Sequence, residues 1–351
     1  MDRLLDIREA TFTQGVREMA CRLACDSTSF DKGAANLDRC AHVAMGKETM
    51  RRLVEEEGRR VAKMQNQGEL MPDFSPDACE TPEGEARLYL GCDGVKVPLI
   101  TDAEKKKRRA SIRRKRQRCG KKRRPLPRRR RGADQAWKEA RVVAIYNETQ
   151  SCREVRCTRG NHTSAGRLMR RMATETRFSQ AEQRIALIDG APWIRNEIEL
   201  HGLTQEIGLD YFHLRDNAQK ARQVLFGDAE EGQAWRDRIM GLFYTQGVQA
   251  GIDALFDERK KRRGRQREAI DRLLGYVVER TEMIRYPTFR RRGWQIGSGP
   301  TEAQCKTSTS RVKGRGRRWD AKNAESIMTL SCLSASRGWE RYWTTFDQKT
   351  A

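Results

Sequence analysis

Apolar residues recur at helical spacing near the start of the chain. Leu4, Leu5, Phe12, Val16, Met19 and Leu23 fit one buried helix face. Ala35, Leu37, Cys40, Ala41 and Val43 define a second helix over 32–45; Gly46 breaks it, and Lys47-Glu-Thr-Met-Arg-Arg-Leu-Val begins a third. Residues 1–63 are therefore predicted to form a helical module. Helix, short glycine turn, helix is the outline of a helix-turn-helix DNA reader. Lys47, Arg51, Arg52, Arg59 and Arg60 could face phosphates, yet Glu48, Glu55, Glu56 and Glu57 nearly cancel them. A plain three-helix packing unit fits the same pattern. Pro72, Pro76, Pro82 and Gly68 then interrupt the periodicity over 64–84, which reads as a linker.

The pattern next turns to strands. Residues 87–100 read as a strand, an Asp93-Gly94 break and a second strand, with Asp-Gly as a hairpin turn. Residues 137–146 and 154–158 have strand character, and a helix is predicted around 166–179. A buried strand from Arg184 ends at Asp189-Gly190, where another helix starts, and 207–213 form a short strand leading into a helix with Ala218, Ala221 and Val224. Over 228–285 strand signals vanish, and Ile270, Leu273, Leu274, Val277 and Val278 fit a helix. The stretch Trp294-Gln-Ile-Gly-Ser-Gly-Pro-Thr-Glu-Ala-Gln-Cys-Lys306 breaks the chain with glycines, after which Pro300 suits a first helical position. That register makes Gly299 the N-cap and puts Glu302 in the first turn. A last helix covers 321–335. Strands early and helices late predict a mixed α/β domain over 85–345, with a basic insertion at 103–133 and a helical insertion at 228–285.

Charge changes the picture most. The 351 residues carry a formal net charge of +23, with a pI near 10.0. That calls for a polyanionic partner: DNA, RNA or an anionic membrane. Between Lys105 and Arg131, 18 of 27 residues are Lys or Arg and none is acidic. Such a run cannot bury itself and should be disordered or loosely helical when free. Inside the chain, between strand signals, it reads as a nucleic-acid grip, with Lys105, Lys106, Lys107, Arg108, Arg109, Arg113 and Arg114 in its first half and Arg128, Arg129, Arg130 and Arg131 at its end. A second basic segment adds Lys313, Arg315, Arg317 and Arg318. The opening residues do not resemble a signal peptide, and no run approaches the ~20 apolar residues that span a bilayer, so a soluble, cytoplasmic protein without a membrane partner is expected. Ten cysteines without C-x-x-C spacing should be reduced thiols, mostly buried. Cys152, Cys157 and His162 come nearest to a zinc set but lack a clear fourth ligand.

Asp93, Asp189 and Glu302 stand about a hundred positions apart, two at strand breaks and one on a helix delivered by a glycine-rich loop. Glu302 alone could merely complement its helix dipole, a contribution of roughly 0.3–1 kcal/mol. Together, three carboxylates in a basic protein suit Mg²⁺ or Mn²⁺, which bind through a few carboxylates plus substrate phosphate. Two such ions can drive in-line displacement at phosphorus, with water as nucleophile in hydrolysis and a DNA 3′-hydroxyl in strand transfer.

The blocks Gly91-Cys-Asp-Gly, Leu187-Ile-Asp-Gly-Ala-Pro-Trp, Leu209-Asp-Tyr-Phe-His213 and Ile296-Gly-Ser-Gly-Pro-Thr-Glu-Ala, followed by Lys313-Gly-Arg-Gly-Arg-Arg-Trp319, resemble Asp-Asp-Glu transposases of bacterial insertion sequences, closest to the ISKra group. The resemblance covers about residues 45–345, and the Gly-Ser-Gly-Pro-x-Glu-Ala block is its most specific part. It implies an RNase H-like core with a helical insertion before the glutamate, and Mg²⁺-dependent cleavage and strand transfer at element ends. It also implies Asp93, Asp189 and Glu302 as the metal-binding triad and Asp210 and His213 as an accessory Asp-x-x-His motif. Double-stranded DNA, at element ends and target, and assembly as a homo-oligomer follow as partners. An RNase H-like structure-selective nuclease is the alternative enzyme. A basic nucleic-acid-binding protein with structural carboxylates, including a degenerate transposase copy, is the alternative outside enzymes.

Overall fold

A computed structural model of the chain describes residues 12–120 and 125–348, with side chains as far as 344. Leu4, Leu5 and residues 121–124 of the basic run lie outside the described residues. In chain order the elements are α1 (Gln14–Asp26), α2 (Phe30–Ala41), α3 (Lys47–Gln67), β1 (Arg87–Pro98), α4 (Asp102–Arg118), β2 (Trp137–Asn147), β3 (Arg153–Thr158), α5 (His162–Glu175) and β4 (Gln183–Ile188). Then come α6 (Pro192–Leu200), β5 (Glu206–Leu209), α7 (Tyr211–Phe226), α8 (Glu230–Thr245), α9 (Val248–Lys260), α10 (Gly264–Val278) and α11 (Tyr286–Arg291). The chain closes with α12 (Gly299–Lys313), α13 (Ala321–Ala335) and α14 (Trp339–Gln348).

The helix starts follow local chemistry. Thr13 and Ser29 cap α1 and α2 by accepting from the Val16 and Lys32 amides, and α3 starts after Gly46 as the periodicity predicts. The buried face of α3 carries Met50, Leu53, Val54, Val61 and Met64. Gly58 lies on the same face, where an added Cβ would come 2.2 Å from the Ser326 carbonyl oxygen. That close approach seats α3 on α13 and would be lost with any larger residue.

The sheet order is β3-β2-β1-β4-β5, with β2 antiparallel to β1 and β3, and β4 parallel to β1 and β5. Contrary to the hairpin expectation, β1 runs unbroken through Asp93-Gly94, which pair with Val142 and Arg141 of β2. Apolar strand formers on both sides and a continuous partner outweigh the local Asp-Gly turn signal. Gly94 serves a packing need instead, since a Cβ there would meet the Glu139 carboxylate at 2.4 Å.

Alternating strand residues feed two apolar layers. Tyr89, Val142, Tyr146 and Leu187 face α1–α3, α12 and α13, while Leu88, Leu90, Val143, Ile145 and Ile188 face α5–α8 and α10. The first layer joins the N-terminal helices to the sheet through one continuous core. The second receives the helices predicted over 228–285. No described helix is long and apolar enough to cross a membrane.

Candidate active site

Strand register gathers the acids. β1 pairs with β4 as far as Leu90–Ala186, and β4 with β5 as far as Ile188–Leu209. Asp189 and Asp210 each lie one residue beyond the last β4–β5 pair, and Asp93 lies three residues beyond the last β1–β4 pair, towards the same end of the sheet. Backbone donors fix each one. Asp93 Oδ1 accepts from the Gly94 amide at 2.6 Å, and Asp189 Oδ1 from the Ala191 amide at 2.8 Å. Gly190, with φ of 87°, turns the chain in a conformation that disfavours a side chain, and α6 starts at Pro192. Asp210 caps α7 through the Phe212 and His213 amides, at 2.6 and 3.0 Å.

Glu302 arrives from the other direction, and its loop is fastened at two points. Arg87 donates to the Gly293 and Arg292 carbonyls, Trp294 Nε1 donates to Gln183, and Tyr89 accepts from the Gln295 amide. Further on, the Tyr211 amide donates to the Ile296 carbonyl at 2.9 Å, and Asp210 Oδ2 accepts from both the amide and the hydroxyl of Ser298. Helix α12 starts with Ser298, not Gly299, as its N-cap, and Glu302 stays in the first turn. Gly91 of β1 lets that turn lie against the sheet, since a Cβ there would sit 1.8 Å from Thr301 Oγ1. The half-exposed Glu302 carboxylate lies 3.4 Å from His213 Nε2.

The electrostatic effects centre on Asp93. Burial, then the Asp189 charge, push the Asp93 carboxyl up, against the Gly94 amide, the Cys305 thiol and His213. Burial raises the Cys305 thiol further, with Asp93 adding to it. Among the described residues, Asp210, His213 and Glu302 form a set whose potential ligand atoms all lie within 4.8 Å of one another. Asp93 and Asp189 are not in that set; the Asp189 charge and His213 both act on Asp93. The carboxylates of Asp93, Asp189 and Glu302, with the His213 imidazole, are donor types that fit Mg²⁺ or Mn²⁺.

Several contributors have no motif in the sequence. The Tyr276 hydroxyl donates to the Asp189 carbonyl at 3.2 Å, and burial pushes that phenol up to about 12. Arg280 Nε donates to the Gly190 carbonyl at 3.0 Å and stacks 4.1 Å over the Tyr276 ring. The helical insertion thus grips the Asp189 turn. Cys305, three residues after Glu302, could have been found from helical spacing, since positions three apart share a face.

The expected DNA-contacting residues divide. Helix α4 covers the first part of the run, has a capping box between Thr101 and Glu104 and buries no residue. Lys105 pairs with Asp320, Arg318 with Glu104, Arg129 with Asp102, and Lys106 with Asp102 at 3.4 Å. Arg109 donates to the Leu126 and Pro127 carbonyls, and Arg317 to the Arg311 carbonyl. Lys107, Arg108, Arg113, Arg114, Arg128, Arg130, Arg131, Lys313 and Arg315 are exposed. The zinc set does not assemble. Cys152 Sγ lies 3.5 Å from the Ala78 carbonyl, Cys157 contacts Cys332, and His162 Nδ1 lies 2.8 Å from Glu197. β3 and the start of α5 send these side chains to different neighbours, and all ten cysteines are free thiols.

No protein-family model matches the chain, and neither does any curated protein. Among solved structures it is similar to a chain of a Drosophila P element transposase strand transfer complex, at 10% identity and a TM-score of 0.35, over 95% of this chain and 81% of the other. A likeness that low leaves fold and activity to be argued from the residues themselves.

Proposed function

We propose that the chain is a transposase of the Asp-Asp-Glu type, akin to the ISKra group, cutting DNA at element ends and joining the freed 3′-hydroxyl to target DNA. The sheet order, with an antiparallel β2 and parallel β4 and β5, supports an RNase H-like core for that chemistry. One observation carries the reading. In a chain of net charge +23, amides hold the carboxylates of Asp93 and Asp189, and Glu302, delivered by its fastened loop, lies 3.4 Å from His213. Mutual repulsion of clustered, partly buried carboxylates costs stability unless cations or protons neutralise it.

Asp93, Asp189 and Glu302 would hold the cations, probed as Mg²⁺ or Mn²⁺. Bound there, the ions supply positive charge for the attacking and departing oxygens of an in-line displacement. The protein's own part is placement. Asp93 is set by β1, Asp189 by its turn beneath Tyr276, and Glu302 by its fastened loop, while His213 restrains the Glu302 carboxylate. The exposed cations of α4 and 128–131 would hold the duplex by its phosphates, and a homo-oligomer would bring two element ends together.

The test is Glu302→Gln, which removes an anionic ligand and keeps shape and hydrogen-bonding capacity. In Mg²⁺, cleavage and joining of end-containing DNA should fall by orders of magnitude while DNA binding persists. Full activity in a folded Glu302→Gln protein would falsify the assignment. Cleavage without joining by the parent protein would favour the structure-selective nuclease.

A further inference from the structure

We infer that Asp210 is a positioning residue, binding no cation itself and holding in register the loop that delivers Glu302. The inference rests on the reading of Glu302 as a cation ligand. Asp210 is fully buried, at 0% exposure, and both its oxygens are occupied. Oδ1 accepts from the Phe212 and His213 amides, and Oδ2 from the Ser298 amide and hydroxyl. A carboxylate offers about four lone-pair directions, and four donors fill them. A cation could enter only by breaking one of these bonds. Asp93 and Asp189, by contrast, are half-buried.

Ser298 is unusual for an N-cap serine. Its hydroxyl makes no cap bond to α12 but turns to Asp210 instead. The start of the helix is therefore set by a tertiary bond to the end of β5. Its consequence for Glu302 is direct, because the Glu302 amide donates to the Ser298 carbonyl at 3.0 Å. The same carboxylate also fixes the amide of His213, whose ring touches Glu302. One buried acid thus sets both the glutamate and the imidazole beside it.

Ser298→Ala tests this, since it removes no potential ligand. In the full-length protein without metal, amide exchange at Thr301 and Glu302 should speed up by about tenfold or more, the scale of one hydrogen bond to a charged group. With Mn²⁺, the turnover rate at saturation should drop by a similar factor, while the half-saturating Mn²⁺ concentration stays within about threefold. Ser298→Thr, which keeps the hydroxyl, should restore the rate. Adding Ser298→Ala to Asp210→Asn should cost less than the two single losses combined, because both sever the same link. Unchanged exchange in Ser298→Ala would overturn the inference. So would a silent Ser298→Ala beside an Asp210→Asn that raises half-saturating Mn²⁺ by orders of magnitude. If the parent protein cuts no DNA, the proposed function falls, and the exchange result still decides the role of Asp210.

Discussion

The acidic sheet end and the basic arm solve different problems with opposite means. At the acidic end each carboxylate takes a hydrogen bond from a nearby amide or touches an imidazole, and the elements that carry them pack on the core. Along α4 no residue is buried, and a capping box with a few ion pairs orders the helix while most of its charge points into solvent. Displacement at phosphorus needs groups fixed to fractions of an ångström, which only convergence of distant segments provides. Holding a polyanion needs charge density, which a contiguous run of lysines and arginines provides by itself. The two regions are also separated. From Asp93 along β1 to the start of α4 the chain can extend roughly 30 Å, so on the proposed reading the arm would hold DNA away from the reacting bond.

The strongest way to break this contrast is at Gly91. A methyl group there would overlap Thr301, so Gly91→Ala should push the first turn of α12 off the sheet and misplace Glu302. Cleavage should fall by orders of magnitude, with DNA affinity and its salt dependence unchanged. Normal cleavage would show that Glu302 needs no such seating.

A smaller effect is expected on the arm. Each phosphate neutralised contributes about −0.9 to the slope of log affinity against log salt. Replacing Arg128, Arg129, Arg130 and Arg131 with glutamine should flatten that slope by up to about four contacts' worth, while turnover at saturating DNA holds. An unchanged slope would make the segment a passive solvated stretch.

The smallest effect is on stability. Burial and Asp189 raise the Asp93 carboxyl, so the folded protein binds that proton more tightly than the unfolded chain does. Stability from this site is therefore fully present at low pH and is lost as pH rises through the folded-state value. In EDTA near pH 7, Asp93→Asn should melt about 1–3 °C above the parent, and the gap should close as pH falls toward about 4. A gap of opposite sign, or one independent of pH, would show that repulsion does not shape this end of the sheet.

Much of the fold could be read from local pattern. The start of α3, the span of α13 and the strand at β2 lie where the sequence pattern predicts them. The failures share a cause, which is a contact with a distant residue. Asp93-Gly94 looks like a turn until β2 is alongside, and only then does Glu139 explain the glycine. Helix α12 starts one residue early because the Ser298 hydroxyl answers to Asp210, 88 positions away. The order in α4 depends partly on Asp320 and Arg318, and the scatter of Cys152, Cys157 and His162 on neighbours that spacing cannot name. In the site, the acids stood out through their Asp-Gly pairs and the glycine-rich loop. Tyr276 and Arg280 did not, because residues 87 and 90 positions from the carbonyls they hold carry no mark of what they touch.

The central claim, that this sheet end is a cation centre, is tested most directly by anomalous diffraction from crystals soaked in Mn²⁺. The account expects manganese bound between Asp93 and Asp189, with a further ion beside Glu302 that disappears in Glu302→Gln. Saturating Mn²⁺ with no anomalous peak in contact with Asp93 or Asp189 would contradict it.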